Sequence, residues 1–156
     1  MRVQDYIADT AKEAFASAFR YAKAVPAAKL DWAPEGGRSV LSMCRELALT
    51  STWCMSTFNS SPSDWSDETR EAQRKEQESW ITVEACEEQF TRRFAEVDAF
   101  FRGMTDDDLK KTKWLPFNGG RDHTWLEMMD YPRWNTTYHL GQIAYIQTLY
   151  GDKEMY

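Results

Sequence analysis

The chain has 156 residues, 42% of them hydrophobic, 14% aromatic and 28% charged, with a formal net charge of −6. That length suits one domain with one core, and the charged fraction with so many aromatics argues against disorder. An acidic chain lacks the basic surplus that phosphate-backbone binding needs, so nucleic acid is excluded as a partner.

Cys44, Cys54 and Cys86 are odd in number and share no CxxC spacing, which speaks against a disulfide framework or a zinc ribbon. They read as small buried hydrophobes in a reduced, cytoplasmic protein. No apolar run reaches the roughly 18 residues of a membrane span, and no apolar signal core follows Met1.

Residues 4–25 predict a first amphipathic helix, with Ile7, Ala11, Ala14, Ala18, Tyr21 and Val25 at helical steps and Pro26 as its stop. A turn-rich stretch through Trp32, Pro34, Gly36 and Gly37 follows. Ser39 then caps a second helix running to about Phe58, whose apolar face holds Val40, Met43, Cys44, Leu47, Cys54 and Phe58. Asn59 to Ser66 is a Ser/Pro/Asp loop. Residues 67–79 are almost wholly polar and fit either the solvated start of a helix or a mobile lid.

Trp80 to Phe101 predicts the third long helix, with Val83, Cys86, Phe90, Phe94 and Val97 in register and Gly103 ending it. Thr105 caps a short turn to Leu109. Asp106-Asp107-Asp108 are consecutive and point apart, so they read as favourable charges in a first turn, not a metal cluster. Lys110 to Asp122 reads as a loop or as a hairpin about Asn118-Gly119. His123 falls in that loop and reads as inert.

Thr124-Trp125-Leu126-Glu127 is a capping box that opens the last helix, which runs to about Tyr150 with Gly151 as its cap. Pro132 should kink or break it near Met128. Four long helices without a run at strand period predict an all-α four-helix bundle in one domain.

The last helix carries the segment that looks most like a site, Asn135-Thr136-Thr137-Tyr138-His139-Leu140-Gly141-Gln142. Asn135 and His139 lie four apart, about 6 Å along the axis, and Gln142 shares their face. Trp53, Trp114, Trp134 and Tyr138 are candidates to line a pocket beside it. Gly141 costs about 1 kcal/mol against alanine in a helix, so close packing on another backbone is expected there.

Two stretches resemble the DinB-like (YfiT-like) superfamily of bundle proteins. One runs from Val25-Pro26 through Leu30-Asp31-Trp32-Ala33-Pro34 to Gly37-Arg38-Ser39-Val40. The other matches an H-x-x-x-H-x-G-Q pattern at Asn135, His139, Gly141 and Gln142, followed by Leu149-Tyr150-Gly151. The resemblance implies up-down-down-up connectivity and a homodimer. It also implies a divalent metal between the second and fourth helices, held by three histidines and able to activate a thiol or water.

This chain departs from that pattern: the positions fall on Glu46, Asn135 and His139. Carboxylate and imidazole suit zinc or nickel and an amide oxygen is a weak third, so one reading is an altered metal site in a thiol S-transferase or hydrolase. The favoured reading is a relic: Glu46 pairs with His139, Asn135 or Gln142 satisfies what remains, and the bundle binds a small ligand or a partner. The residues also allow Glu46 to face solvent, or to take part in acid/base work without metal, with Cys44 or Thr50 nearby.

Overall fold

The computed structural model describes residues 1–59 and 66–156, so residues 60–65 of the Ser/Pro/Asp loop lie outside the described residues. Helix α1 is Val3–Ala24 and α2 is Val40–Phe58. They are followed by α3, Asp67–Glu78, and α4, Val83–Gly103. A hairpin of β1 (Thr112–Leu115) and β2 (Arg121–Thr124) then leads into α5, Trp125–Leu149.

The face of α1 that packs inward alternates aromatic and alanine. Ala8, Ala11, Ala18 and Ala22 are fully buried, and their small side chains let neighbouring helices close up around Phe15 and Phe19. Phe15 stacks on Phe90 of α4 with ring centroids 3.7 Å apart, and Phe94 closes the cluster at 5.8 Å. In α2 the buried residues run almost all the way round the helix, from Val40, Leu41 and Met43 to Leu49, Thr50, Ser51 and Cys54. Only a helix covered on nearly every side has that pattern.

Contacts at the helix ends fix the directions. Gln4 near the start of α1 donates to the Met104 carbonyl at 3.3 Å, beyond the end of α4, while Lys23 pairs with Glu87 at the other end. So α1 and α4 run antiparallel. Arg45 Nε donates to the Trp80 carbonyl and Phe58 meets Phe101, so α2 and α4 run parallel. His139 reaches Glu46 and Trp125 reaches Phe58, so α5 runs antiparallel to α2. The order is up-down-down-up, with α1 against α5 and α4, and α2 against α4 and α5.

Four expectations change. The third long helix starts at Val83, not Trp80, because Thr82 turns extended and accepts the Ala85 amide at 3.1 Å as an N-cap. The polar stretch before it is a separate helix, α3, with no buried residue, capped by Ser66. Arg93 of α4 ties it down by bonding Glu76 at 2.6 Å.

Residues 112–124 form a hairpin whose register pairs Thr112 with Thr124 and Leu115 with Arg121. The connection is the five residues 116–120, not a two-residue turn at Asn118-Gly119. Gly120 has φ +78°, and a Cβ there would lie 2.7 Å from the Trp114 ring, so no other residue fits. The strands escape a reading by period because each has only four residues. Lys113 on β1 moors the hairpin by donating to the Thr57 and Asn59 carbonyls, both at 2.6 Å, at the end of α2.

Helix α5 runs unbroken through Pro132. Met128, Met129, Pro132, Asn135 and Thr136 are all buried, and that packing outweighs a cost of about 3 kcal/mol for proline in a helix interior. Gly151, at φ +94°, closes α5: its amide bonds the Thr148 carbonyl and that of Asp152 bonds the Gln147 carbonyl, a Schellman motif. Among the described residues, no helix is long and apolar enough to cross a membrane.

Candidate functional site

The site lies where α2 and α5 cross. Ser39 starts α2 by accepting the Ser42 amide at 3.2 Å, and Arg38 precedes it. The Arg38 side chain folds back along the first two turns, bonding the Ser42 carbonyl at 3.1 Å and the outer oxygen of Glu46. The inner oxygen, Glu46 Oε1, meets His139 Nε2 at 2.9 Å, and His139 Nδ1 meets Gln142 Oε1 at 2.7 Å. A chain of four polar groups thus runs from solvent down to the buried His139 and back out to the half-buried Gln142. Side-chain exposure falls from 41% at Arg38 to 23% at Glu46 and 3% at His139.

Burial alone would push the Glu46 carboxyl up. The hydrogen bond from His139, then that from Arg38, outweighs burial and holds the group at about 2. Glu46 is therefore an anion at neutral pH, with a partner on each oxygen.

Asn135 does not join this chain. It is buried one turn earlier, where its Nδ2 donates to Thr50 Oγ1 at 3.1 Å, and Thr50 in turn donates to the Glu46 carbonyl at 3.3 Å. Gln142 is the amide that satisfies the imidazole. Trp53 lies half-buried further along α2, its indole N–H without a partner among the described residues. Tyr138 is exposed and meets the His139 ring edge-on at 5.4 Å.

Two residues of the site were not singled out from sequence. Arg38 sat inside the resemblance motif, but its side chain reaches eight residues onward, a span no i, i+4 rule anticipates. Tyr131 lies four residues before Asn135, at the outer edge of that face, and is 37% exposed. Burial, then the charge of Glu46, pushes its phenol up to about 12. The spacing 131/135/139 was the available signal.

The other candidates resolve simply. Burial pushes the thiols of Cys44 and Cys54 far up and that of Cys86 to about 11, so none is an activated nucleophile. His123 belongs to β2, paired opposite Lys113, rather than to a loop. Asp106, Asp107 and Asp108 diverge to Gln4, Lys110 and Lys111. Gly141 has no packing neighbour: a Cβ there would meet nothing within 4 Å.

A divalent metal would need Glu46, Asn135 and His139 as donors. One Glu46 oxygen carries a guanidinium, the other faces His139 Nε2, and Asn135 spends its amide N–H on Thr50. These residues do not fit a divalent ion as arranged: its charge would sit beside a fixed cation, Glu46 and His139 already bond each other, and Asn135 stands apart on Thr50. Among the described residues, no group of three or more His, Cys, Asp or Glu converges on one point. Two grooves lie elsewhere. One, of about 510 Å³, runs between α1 and α5 past Tyr6, Glu13 and Arg133. The other, of about 440 Å³, lies between α1 and α4 over Phe19, Phe90 and Phe94.

No protein-family profile matches the chain, and no curated protein matches it in sequence. Among solved structures it is similar to YfiT from Bacillus subtilis, described as "a probable metal-dependent hydrolase with an unusual four-helix bundle topology". The TM-score is 0.73 at 16% identity, over 95% of this chain and 87% of that one. It is also similar to a structural-genomics protein of Streptococcus pneumoniae, with TM-score 0.65 at 10% identity over 99% and 93% of the two chains. The chain shares the four-helix-bundle fold of YfiT.

Proposed function

We propose that this protein works by binding rather than by metal-dependent chemistry, and that its triad position has become a self-contained ion-pair network. The observation that carries the reading is Arg38 on Glu46. A guanidinium does not lose its proton, so it supplies a permanent positive charge where a metal would otherwise neutralise the carboxylate. Loading a metal would require breaking the contacts of Glu46 with both Arg38 and His139. The occupant of the bundle is then a small apolar ligand or a protein partner, and the groove over Phe19, Phe90 and Phe94 falls within the usual size of ligand sites. The cytoplasm is the proposed compartment, since three free cysteines suit reducing surroundings. Pairing with a second copy belongs to the same proposal.

The test is metal analysis of protein purified without a histidine tag, with thermal melts in added zinc, nickel and manganese. Metal well below one ion per chain and unmoved melts are expected. One observation favours a second reading, a metal-dependent thiol S-transferase or hydrolase: Glu46 and His139, two good donors, stand 2.9 Å apart. Stoichiometric zinc or nickel that disappears in His139→Ala would establish that reading and overturn the first.

A further inference from the structure

The outward face of α5 has no partner in this chain and no charge. From Trp134 to Gly151, eighteen residues, there is no Asp, Glu, Lys or Arg, in a chain that is 28% charged. Tyr131, Trp134, Tyr138, Gly141 and Tyr145 recur at alternating steps of three and four, and so fall within an arc of about 80°. Trp134, Tyr138 and Tyr145 are 56%, 55% and 63% exposed. The first three rings already stack along the helix: Tyr131 on Trp134 at 6.3 Å and Trp134 on Tyr138 at 5.9 Å. Tyr and Trp without charge is the composition of an interface core, not of a solvated helix face.

We infer that this face of α5 binds the same face of a second copy, antiparallel, about a two-fold axis close to Tyr138. Three features select a second copy as the occupant. The chain carries a net charge of −6, so two copies repel wherever their charged surfaces meet, and α5 carries no charged side chain from Trp134 on. The stripe is also self-complementary when reversed. Trp134 lies four residues before Tyr138 and Gly141 three after, so Trp134 of each copy is set over Gly141 of the partner subunit. Tyr131 and Tyr145, seven residues either side, likewise oppose each other. An isologous contact requires this reciprocity.

Gly141 supplies the third feature. Nothing in this chain lies within 4 Å of where its Cβ would be, so no internal contact explains a poor helix former in mid-helix. A partner's indole laid on the backbone does. The contact also touches the polar site, because Tyr138 at its centre meets the His139 ring edge-on.

This names the surface for the pairing proposed above, and the experiment separates the two claims. Sedimentation and thermal melting are run on the wild type, Gly141→Leu, and a swapped variant carrying Trp134→Ala with Gly141→Trp, each at roughly 100 μM, where even a weak interface is populated. The wild type is expected to sediment as a dimer. Gly141→Leu, whose side chain enters open space in the single chain, should be a monomer that melts no lower than an isolated wild-type chain. The swapped variant restores large against small and should recover dimer. A wild-type monomer overturns both the pairing and this face. A dimer that survives Gly141→Leu with its association constant within twofold of wild type overturns the face alone.

Discussion

The seam between α1 and α4 and the seam between α2 and α5 are built from opposite materials. The first is a pile of rings: Phe15 on Phe90 at 3.7 Å, with Phe94 and Phe19 against them, and alanines between. The second carries a buried amide on a hydroxyl, Asn135 to Thr50 at 3.1 Å, and an imidazole on a carboxylate, His139 to Glu46 at 2.9 Å. Burial of apolar surface is non-directional, so the ring seam supplies stability and tolerates small slides. Hydrogen bonds between buried polar groups are directional, and a one-residue slip of α5 along α2 would leave several of them unmade. One seam holds the bundle together, and the other sets its register.

The contrast is tested most severely at its extremes. Phe15→Ala should destabilise the protein by about 3–5 kcal/mol, measured from denaturant midpoints at constant slope, because it removes a ring 1% exposed and leaves a cavity. That is a large part of the stability of a domain this size. A loss below about 1 kcal/mol would mean that the ring seam is not what holds α1 in place. His139→Ala should cost less, about 2–3 kcal/mol, because it strands the inner oxygen of Glu46 while Arg38 still neutralises the outer one. Arg38→Ala in the His139→Ala background should then cost more than in the wild type, and a double-mutant cycle reads that coupling directly.

The ring seam was legible in the sequence and the polar seam only half so. Phe90, Phe94 and Val97 declare a buried face by spacing alone, and the capping box at Thr124 and Glu127 appears as its motif predicts. Asn135, His139 and Gln142 could be seen to share a face. Of their partners, Glu46 was reached through the resemblance, which sets it against His139 as the structure does; the Thr50 bond to Asn135 and the Arg38 contact with Glu46 were not, because nothing local fixes which residue of α2 faces which turn of α5. A break at Pro132 is absent for the same reason, since tertiary burial overrode a local rule. Gly141 misled in the other direction, since the packing it seemed to require is not inside the chain.

The polar seam should also respond to acid where the ring seam does not. The folded-state carboxyl of Glu46 is depressed from 4.5 to about 2 by its two partners. Its contribution is therefore complete above its unfolded-state value, declines below about pH 4.5, and is gone once pH falls through about 2. Unfolding free energy measured between those limits should fall less steeply in Glu46→Gln than in the wild type. Equal slopes would show that the carboxylate gains nothing from His139 and Arg38. Phe15→Ala, by contrast, should shift the whole curve without changing that slope.

The smallest expected effect lies at Trp53, where the two materials meet. Trp53 sits on the α2 face that also carries Glu46 and Thr50, and it packs against the apolar core. Its indole N–H is buried without a partner among the described residues. A donor in that state costs about 1–3 kcal/mol of desolvation, and Trp53→Phe removes it while keeping a ring in place. The smaller ring gives back some dispersion contact, so the two effects oppose each other. A net change within about 1 kcal/mol of zero follows, read as a shift in thermal midpoint of a few degrees at most. A loss as large as that of Phe15→Ala would mean that Trp53 belongs to the ring material after all. A gain would locate the unmet donor as a cost that the polar seam carries in the native state.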